Sequence, residues 1–163
     1  MPIEIERKFL IASDTWKQSV HKSIQYRQGY LSNNSRNSIR IRVSDQSATL
    51  NIKSMQMGIQ RIDYEYPIPL DEANEQLDRL CQSPIIEKTR HFIKHGKHTW
   101  EIDVFEGDNK GLIVAEIELS DENEPFEKPN WLGKEVSHLA RYFNICLMDY
   151  PYCQWTDREK QGE

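Results

Sequence analysis

Hydrophobic and polar side chains alternate with a period of two residues along most of the chain, which is typical of β-strands. The alternation predicts eight strands, at residues 2–11, 24–32, 37–44, 47–54, 59–67, 85–95, 98–105 and 112–119. Turn-forming residues separate several of them: Ser32-Asn33-Asn34-Ser35, Met57-Gly58, His95-Gly96 and Gly107-Asp108-Asn109. Eight strands joined mainly by short turns predict an antiparallel sheet that closes, or nearly closes, into a barrel.

Two segments have helical spacing instead. Residues 71–82 open with two acidic residues and place Ala73, Leu77 and Leu80 on one face, which predicts a helix. A second helix is predicted to begin near Lys134 and to run through Val136, Leu139, Ala140 and Phe143. Short helical turns are expected at 13–20 and 121–125. The predicted fold class is therefore mainly β with flanking helices (α+β).

The length and composition fit a single globular domain. The chain has 163 residues, of which 37 % are hydrophobic and 29 % are charged, and its net charge is −5. This negative balance argues against a general nucleic-acid coat protein, but it allows a small anion in a local basic site. The cysteines, Cys81, Cys146 and Cys153, form no CxxC pair and are interpreted as reduced thiols. Because the charged N-terminus lacks the apolar core of a signal peptide, we predict a cytoplasmic protein without a membrane or nucleic-acid partner.

Several strands carry two side chains of the same sign on one face. The acidic pairs are Glu4 with Glu6, Glu101 with Asp103 and Glu116 with Glu118; the basic pairs are Arg40 with Arg42 and Lys88 with Arg90. One interpretation is a flat sheet or sandwich with a solvated charged face, although such a face would mix signs between neighbouring positions. The other is a polar interior in which carboxylates hold a hard divalent cation while Arg and Lys bind phosphate oxygens. That combination is the chemistry of polyphosphate transfer.

The same residues resemble the CYTH proteins, or triphosphate tunnel metalloenzymes. The hallmark of that family is an E-x-E-x-K strand, which here is Glu4-Ile5-Glu6-Arg7-Lys8. Further motifs follow in the family's order: Gln28-Gly29-Tyr30-Leu31, Arg40-Ile41-Arg42, Leu50-Asn51-Ile52-Lys53, Arg61-Ile62-Asp63-Tyr64-Glu65, Glu87-Lys88-Thr89-Arg90, Glu101-Ile102-Asp103-Val104-Phe105 and Ala115-Glu116-Ile117-Glu118. Residues 131–136 and 141–144 resemble the family's closing helix. On this basis, residues 1–150 are expected to form the CYTH domain and residues 151–163 a C-terminal tail.

The resemblance implies an eight-stranded antiparallel closed β-barrel that forms a tunnel lined by charged side chains. The side chains it implies for triphosphate binding are Lys8, Arg40, Arg42, Lys53, Lys88 and Arg90, with Arg141 as a further contact near the tunnel end. The side chains it implies for one or two divalent cations, Mg²⁺ or Mn²⁺, are Glu4, Glu6, Glu65, Asp103, Glu116 and Glu118. Lys53, Lys8 and Lys88 are predicted to be catalytic. The tail departs from the resemblance, and its Trp155 and mixed charges predict a solvated or loosely packed end.

The activity that the resemblance implies is metal-assisted hydrolysis of a triphosphate. Inorganic triphosphate, cleaved to pyrophosphate and phosphate, is the first choice, because the short chain offers few residues to recognise an adenine or thiazolium group. The alternatives are an adenylate cyclase, a non-catalytic polyphosphate- or nucleotide-binding module, and a structural protein whose charges merely close the barrel. A pure anion binder gains nothing from inward carboxylates. The sequence leaves open the physiological substrate, the group that activates water and the oligomeric state.

Overall fold

The computed structural model describes residues 2–55 and 58–163, which form one mainly antiparallel sheet of nine strands. The strands are β1 (Ile3–Ile11), β2 (Lys22–Asn33), β3 (Asn37–Val43), β4 (Ala48–Ser54), β5 (Gln60–Ile68), β6 (Ile86–His95), β7 (His98–Phe105), β8 (Ile113–Leu119) and β9 (Leu132–Glu135). The first eight match the predicted strands. The turn at Gly96 is confirmed by its positive φ of 63°, whereas Met57 of the predicted Met57-Gly58 turn lies outside the described residues.

The sheet closes on itself. Its strand order is β5-β4-β3-β2-β6-β7-β8-β1-β9, and an additional antiparallel pairing joins β5 to β1. The first half of β1 pairs with β5, with Ile3 opposite Ile62, and its second half pairs with β9, with Phe9 opposite Glu135. Eight strands therefore form a ring, and β9 extends one edge of β1. The predicted closed antiparallel barrel is confirmed.

Strand alternation separates the two faces of this ring. Apolar side chains point outward and pack under loops and helices in three buried clusters, centred on Trp100, Tyr142 and Ile41. Charged side chains point inward; among them Lys8, Lys88, Asp103 and Glu116 are almost fully buried. The charged faces are thus interior, and the flat solvated sheet is excluded.

Within the described parts of the chain, three α-helices accompany the sheet: α1 (Leu70–Arg79), α2 (Asn144–Leu147) and α3 (Asp157–Lys160). The helix α1 confirms the prediction at 71–82 and buries Ala73 and Leu77 against the outer face of β3 and β4. The helix predicted from Lys134 is wrong. Its first residues form β9, because the backbone of this segment pairs with β1, and only a 3-10 turn at Ala140–Tyr142 and the short α2 are helical.

Two further predictions concern short helical turns at 13–20 and 121–125. A 3-10 helix at Asp14–Ser19 confirms the helical turn predicted at 13–20. At 121–125 the chain makes only a hydrogen-bonded turn, in which the Glu124 amide donates to the carbonyl of Asp121.

The C-terminal segment was predicted to be solvated or loosely packed; many of its residues are exposed, but Trp155 is packed into the core. Trp155 is 5 % exposed and packs edge-on against Tyr142, with ring centroids 4.9 Å apart. Thr156 and Glu159 form a capping box at the start of α3. Trp155 is a buried aromatic residue that attaches the segment to the core, and the mixed charges around it in the sequence do not indicate this. The domain boundary at residue 150 stays a prediction.

Candidate active site

The ring encloses a polar cavity of about 400 Å³. Its charged lining residues are Glu4, Glu6, Lys8, Arg40, Arg42, Lys53, Arg61, Asp63, Glu65, Lys88, Arg90, Glu101, Glu116 and Glu118. Neutral lining residues include Tyr30, Asn51, Phe143 and Asn144. The structure therefore brings nearly all of the predicted site residues into one interior.

Strands β1 and β8 form the acidic wall of this cavity. Their register places Glu6 opposite Glu118 and Lys8 opposite Glu116. The Nζ atom of Lys8 lies between two carboxylates, 2.9 Å from Glu6 Oε1 and 2.6 Å from Glu116 Oε1. Burial alone would raise the pKa of Glu6, but Lys8 and other nearby cations lower it to about 2. Burial would lower the pKa of Lys8, yet Glu116 and Glu6 raise it, so that the lysine is charged.

Lys53 and Arg61 balance further carboxylates at the next strands of the ring. The Nζ atom of Lys53 lies 2.8 Å from Glu4 Oε2 and 3.3 Å from Asp63 Oδ2. Arg61 Nε lies 3.6 Å from the same oxygen of Glu4. Glu118 forms no ion pair within the described residues: burial raises its pKa, and the neighbouring Glu4 and Glu6 raise it further. Negative charge therefore exceeds its local compensation at this side of the cavity.

Strand β3, which lies across the ring from β8, has the opposite excess. Arg40 is 9 % exposed, and its Nε atom is buried without a hydrogen-bond partner among the described residues. Among residues 2–55 and 58–163, no carboxylate forms an ion pair with Arg40. Burial lowers the pKa of Arg42, and the nearby Arg40 and Arg90 lower it further. Arg42 Nη2 lies 3.4 Å from Glu65 Oε1, so Arg40 is the cation of this strand without an anionic partner among the described residues. A buried cation without an anionic partner indicates a binding site for an anion.

In a third group, on β6 and β7, the cations pair with carboxylates. Arg90 donates from Nε and Nη2 to the two oxygens of Asp103 at 2.8 and 2.9 Å, and Lys88 Nζ donates to Asp103 Oδ2 at 2.7 Å. Although burial would raise the pKa of Asp103, Arg90 and Lys88 hold it well below its usual range. Burial lowers the pKa of Lys88 to about 8, which Asp103 offsets only in part. Glu101 lies 2.7 Å from Arg90, yet burial raises its pKa to about 7.

Two predicted residues lie outside the cavity lining. Asp103 is 0 % exposed and lies beneath Lys88 and Arg90, so in this structure it holds the two cations instead of facing the cavity. Arg141 points to the C-terminal segment, where it donates to the backbone carbonyls of Glu159 and Glu163 and stacks on Trp155. In this structure Arg141 lies outside the cavity lining and Nη2 of its guanidinium anchors the tail, so a substrate contact of Arg141 stays a prediction.

The structure also supplies residues that sequence reasoning missed. Phe143 lies beneath the cations of Lys8 and Arg61, at 5.9 and 5.1 Å from its ring centroid. Asn144 Oδ1 accepts hydrogen bonds from Lys88 and Gln28, and Tyr26 supports the guanidinium of Arg42 at 4.6 Å. The residues 143–144 were assigned to a helix, and no spacing rule shows that they close over the cavity. Tyr26 shares a strand face with Gln28 and Tyr30, and this alternation is the signal that could have identified it.

The acidic wall fits an oxygen-preferring divalent cation in the chemistry of its donors. Glu6 and Glu118 are direct cross-strand neighbours of like charge, an arrangement that destabilises a sheet unless a cation bridges it. Within the described parts of the chain, no three acidic, His or Cys side chains already converge as a preformed metal site. The donors are present, and the amine of Lys8 lies between two of them, Glu6 and Glu116.

The closed ring and its sorted charges define a tunnel protein for a polyanion, and the chain belongs to the CYTH domain family. The family model matches residues 2–146. The chain is 47 % identical over 149 residues to an inorganic triphosphatase of Acetivibrio thermocellus, and the match covers 91 % of this chain and 95 % of that protein. The family predicted from the motifs is confirmed.

Solved structures have the same architecture. The crystal structure of an inorganic triphosphatase superposes with a TM-score of 0.62 at 32 % identity, covering 89 % of this chain and 97 % of that one. A Hippeastrum protein, whose structure is described as revealing a dominant triphosphatase activity, superposes with a TM-score of 0.57 at 14 % identity, covering 74 % and 80 %. At that identity the likeness shows the fold alone. No helix among the described residues is both long and apolar enough to cross a membrane.

Proposed function

We propose that this protein hydrolyses inorganic triphosphate to pyrophosphate and phosphate inside the barrel. The observation that carries the proposal is Arg40, a buried guanidinium that faces the cavity beside Arg42 without a carboxylate partner among the described residues. A linear chain of phosphates supplies the missing negative charge. The names of two relatives at 47 % and 32 % identity, both inorganic triphosphatases, support the same substrate.

The cations of the cavity have distinct tasks in this proposal. Arg40 and Arg42 bind phosphate oxygens through their planar guanidinium groups. Lys53, Lys8 and Lys88 come from three different strands and contact the same chain as point charges, which fixes it in line with an attacking water. Each of these lysines forms an ion pair with a carboxylate, so phosphate binding would exchange internal ion pairs for contacts with phosphate. No nucleophilic side chain is needed, because the water attacks phosphorus directly.

The family is metal-dependent, and we propose Mg²⁺ or Mn²⁺ as the ion. Glu4, Glu6, Glu116 and Glu118 would hold it at the acidic wall, with Glu65 as a further donor near the edge of the cavity. When bound, such an ion neutralises charge that develops on the phosphates and lowers the pKa of a coordinated water. Asp103 is better explained as the support of Lys88 and Arg90 than as a ligand, since all of its contacts are to those cations.

The test is phosphate release from inorganic triphosphate, ATP and thiamine triphosphate, each with Mg²⁺, with Mn²⁺ and with chelator. We expect metal-dependent release that is fastest with inorganic triphosphate. Formation of cyclic AMP from ATP would assign a cyclase instead, and tight binding without turnover would assign a non-catalytic module. A cytoplasmic location remains part of the proposal.

A further inference from the structure

Asn144 occupies a position at the cavity that ion pairing does not explain. It is the first residue of α2 and lines the cavity beside Lys88. Its Oδ1 atom accepts one hydrogen bond from Lys88 Nζ at 2.8 Å and another from Gln28 Nε2 at 2.8 Å. Every other cavity lysine contacts two carboxylates, whereas Lys88 contacts one carboxylate and this neutral amide.

Lys88 fixes which atom of Asn144 faces it, because an ammonium group has donors and no acceptor. The oxygen of Asn144, and not its NH₂ group, is therefore directed towards Lys88. Gln28 is 0 % exposed, and its amide nitrogen donates to the same oxygen. If the Asn144 amide were reversed, its NH₂ group would face the ammonium group of Lys88 and the NH₂ group of Gln28, and no acceptor would be present.

The two acceptors of Lys88 define the direction of its remaining donor. An ammonium group has three N–H donors, of which one points to Asp103 at 2.7 Å and one to Asn144. Lys88 lines the cavity, so its third donor is left for a ligand there. Because Asn144 is neutral, it orients the amine without cancelling its charge. A second carboxylate at this position would orient it equally well and would neutralise it.

We propose that Asn144 is a positioning residue, which aims the Lys88 amine at a phosphate of the bound triphosphate while leaving its positive charge available. The proposal rests on the function proposed above for the cavity. Because Asn144 acts on the substrate only by orienting Lys88, the effect of changing Asn144 depends on the presence of that lysine.

The experiment is a double-mutant cycle of Asn144→Ala and Lys88→Met, with Asn123→Ala as the matched control at an exposed turn. Tripolyphosphate hydrolysis is measured at saturating Mg²⁺. We expect Asn144→Ala alone to lower kcat about tenfold, the loss typical of one hydrogen bond to a charged group. In the Lys88→Met background the same change is expected to have less than about a twofold effect, because coupled residues are not additive. An equal loss in both backgrounds would overturn the proposal, as would an unchanged kcat in the single variant.

Asn144→Asp keeps the shape and both acceptor contacts, and it provides a second test if the alanine variant does not fold. Its carboxylate pairs with Lys88, so we expect the melting temperature to be maintained while the Kd of tripolyphosphate, measured by calorimetry, rises about tenfold. A merely structural amide predicts the reverse, a lower melting temperature with unchanged Kd. If the wild type binds tripolyphosphate but does not cleave it, the proposed function fails while this binding test still decides the role of Asn144.

Discussion

Arg40 and Lys88 are buried cations of the same cavity, and the structure predicts opposite effects on stability when each is replaced by methionine. Lys88 has a carboxylate partner in Asp103, whereas Arg40 has none among the described residues. If the cavity is built for an anion that is supplied from outside, then Arg40 destabilises the empty protein and is retained for function. The comparison of the two variants tests this directly.

The magnitude follows from their contacts. The Nε donor of Arg40 is buried and has no hydrogen-bond partner among the described residues, which costs about 1–3 kcal/mol. Arg40→Met should therefore leave the free energy of unfolding unchanged or raise it by up to about 2 kcal/mol. Lys88→Met leaves Asp103 with Arg90 alone and should lower that free energy by about 1.5–3 kcal/mol, the usual worth of a hydrogen bond to a charged group.

The assay is thermal unfolding of both variants in chelator without phosphate, followed by tripolyphosphate turnover with Mg²⁺. Each kcal/mol corresponds to about 2–4 °C in Tm for a chain of this size. We expect Arg40→Met to melt at or above the wild-type Tm and Lys88→Met to melt below it. Both should lose about 10²–10³-fold in kcat, by analogy with lost donors to a developing charge. A Tm for Arg40→Met as low as that of Lys88→Met would show that Arg40 is a structural ion-pair member and would refute the reasoning.

Four further predictions concern metal, catalysis, ligand binding and the tail. Replacing Glu4 and Glu6 together by Gln should abolish Mg²⁺-dependent turnover while circular dichroism shows a folded barrel, and retained activity at equal Mg²⁺ would exclude them as ligands. Lys53→Ala should lower kcat about 10²–10³-fold, whereas Lys97→Ala, in the β6–β7 hairpin turn, should leave steady-state kinetics unchanged; similar rates would remove Lys53 from the catalytic set. Tripolyphosphate at a hundredfold excess over its Kd should stabilise the protein by about 2.7 kcal/mol, and equal melting shifts with monophosphate would mean that chain length is not recognised. Trp155→Ala should lower the free energy of unfolding by about 3–5 kcal/mol in denaturant titration. A change below about 1 kcal/mol would instead support the loosely packed C-terminal end that the sequence predicts.

The strands and their inward faces were predictable because period-two alternation is a local property of the sequence. Within each strand, the alternation itself shows which face is charged. Strand β9 was missed for a physical reason. Its four residues, Leu132–Glu135, are held by pairing with β1, a tertiary contact that no local propensity reports. The apolar spacing from Val136 to Phe143 imitates a helix although those residues pack as a turn and a short 3-10 segment.

The candidate site shows the same limit. Side chains within strands were placed correctly by alternation, which is why Arg40 and Glu116 face one cavity. Which of these side chains face the cavity and which support others was not predictable. In the sequence, Asp103 resembles its acidic neighbours, and only the structure shows that it is buried beneath Arg90. Arg141 lies in the 3-10 turn Ala140–Tyr142, and Asn144, three residues later, begins α2. Only the packing of this segment decides that Asn144, and not Arg141, reaches the cavity.

The central claim is that the charged tunnel cleaves inorganic triphosphate with the help of a divalent cation. Phosphorus NMR of tripolyphosphate incubated with the protein tests it directly, because substrate, pyrophosphate and phosphate are observed together. We predict equimolar pyrophosphate and phosphate with Mg²⁺, no conversion in chelator, and conversion slowed about 10²–10³-fold with Arg40→Met. Conversion at the wild-type rate in Arg40→Met, or no conversion by the wild type with either Mg²⁺ or Mn²⁺, would contradict the account.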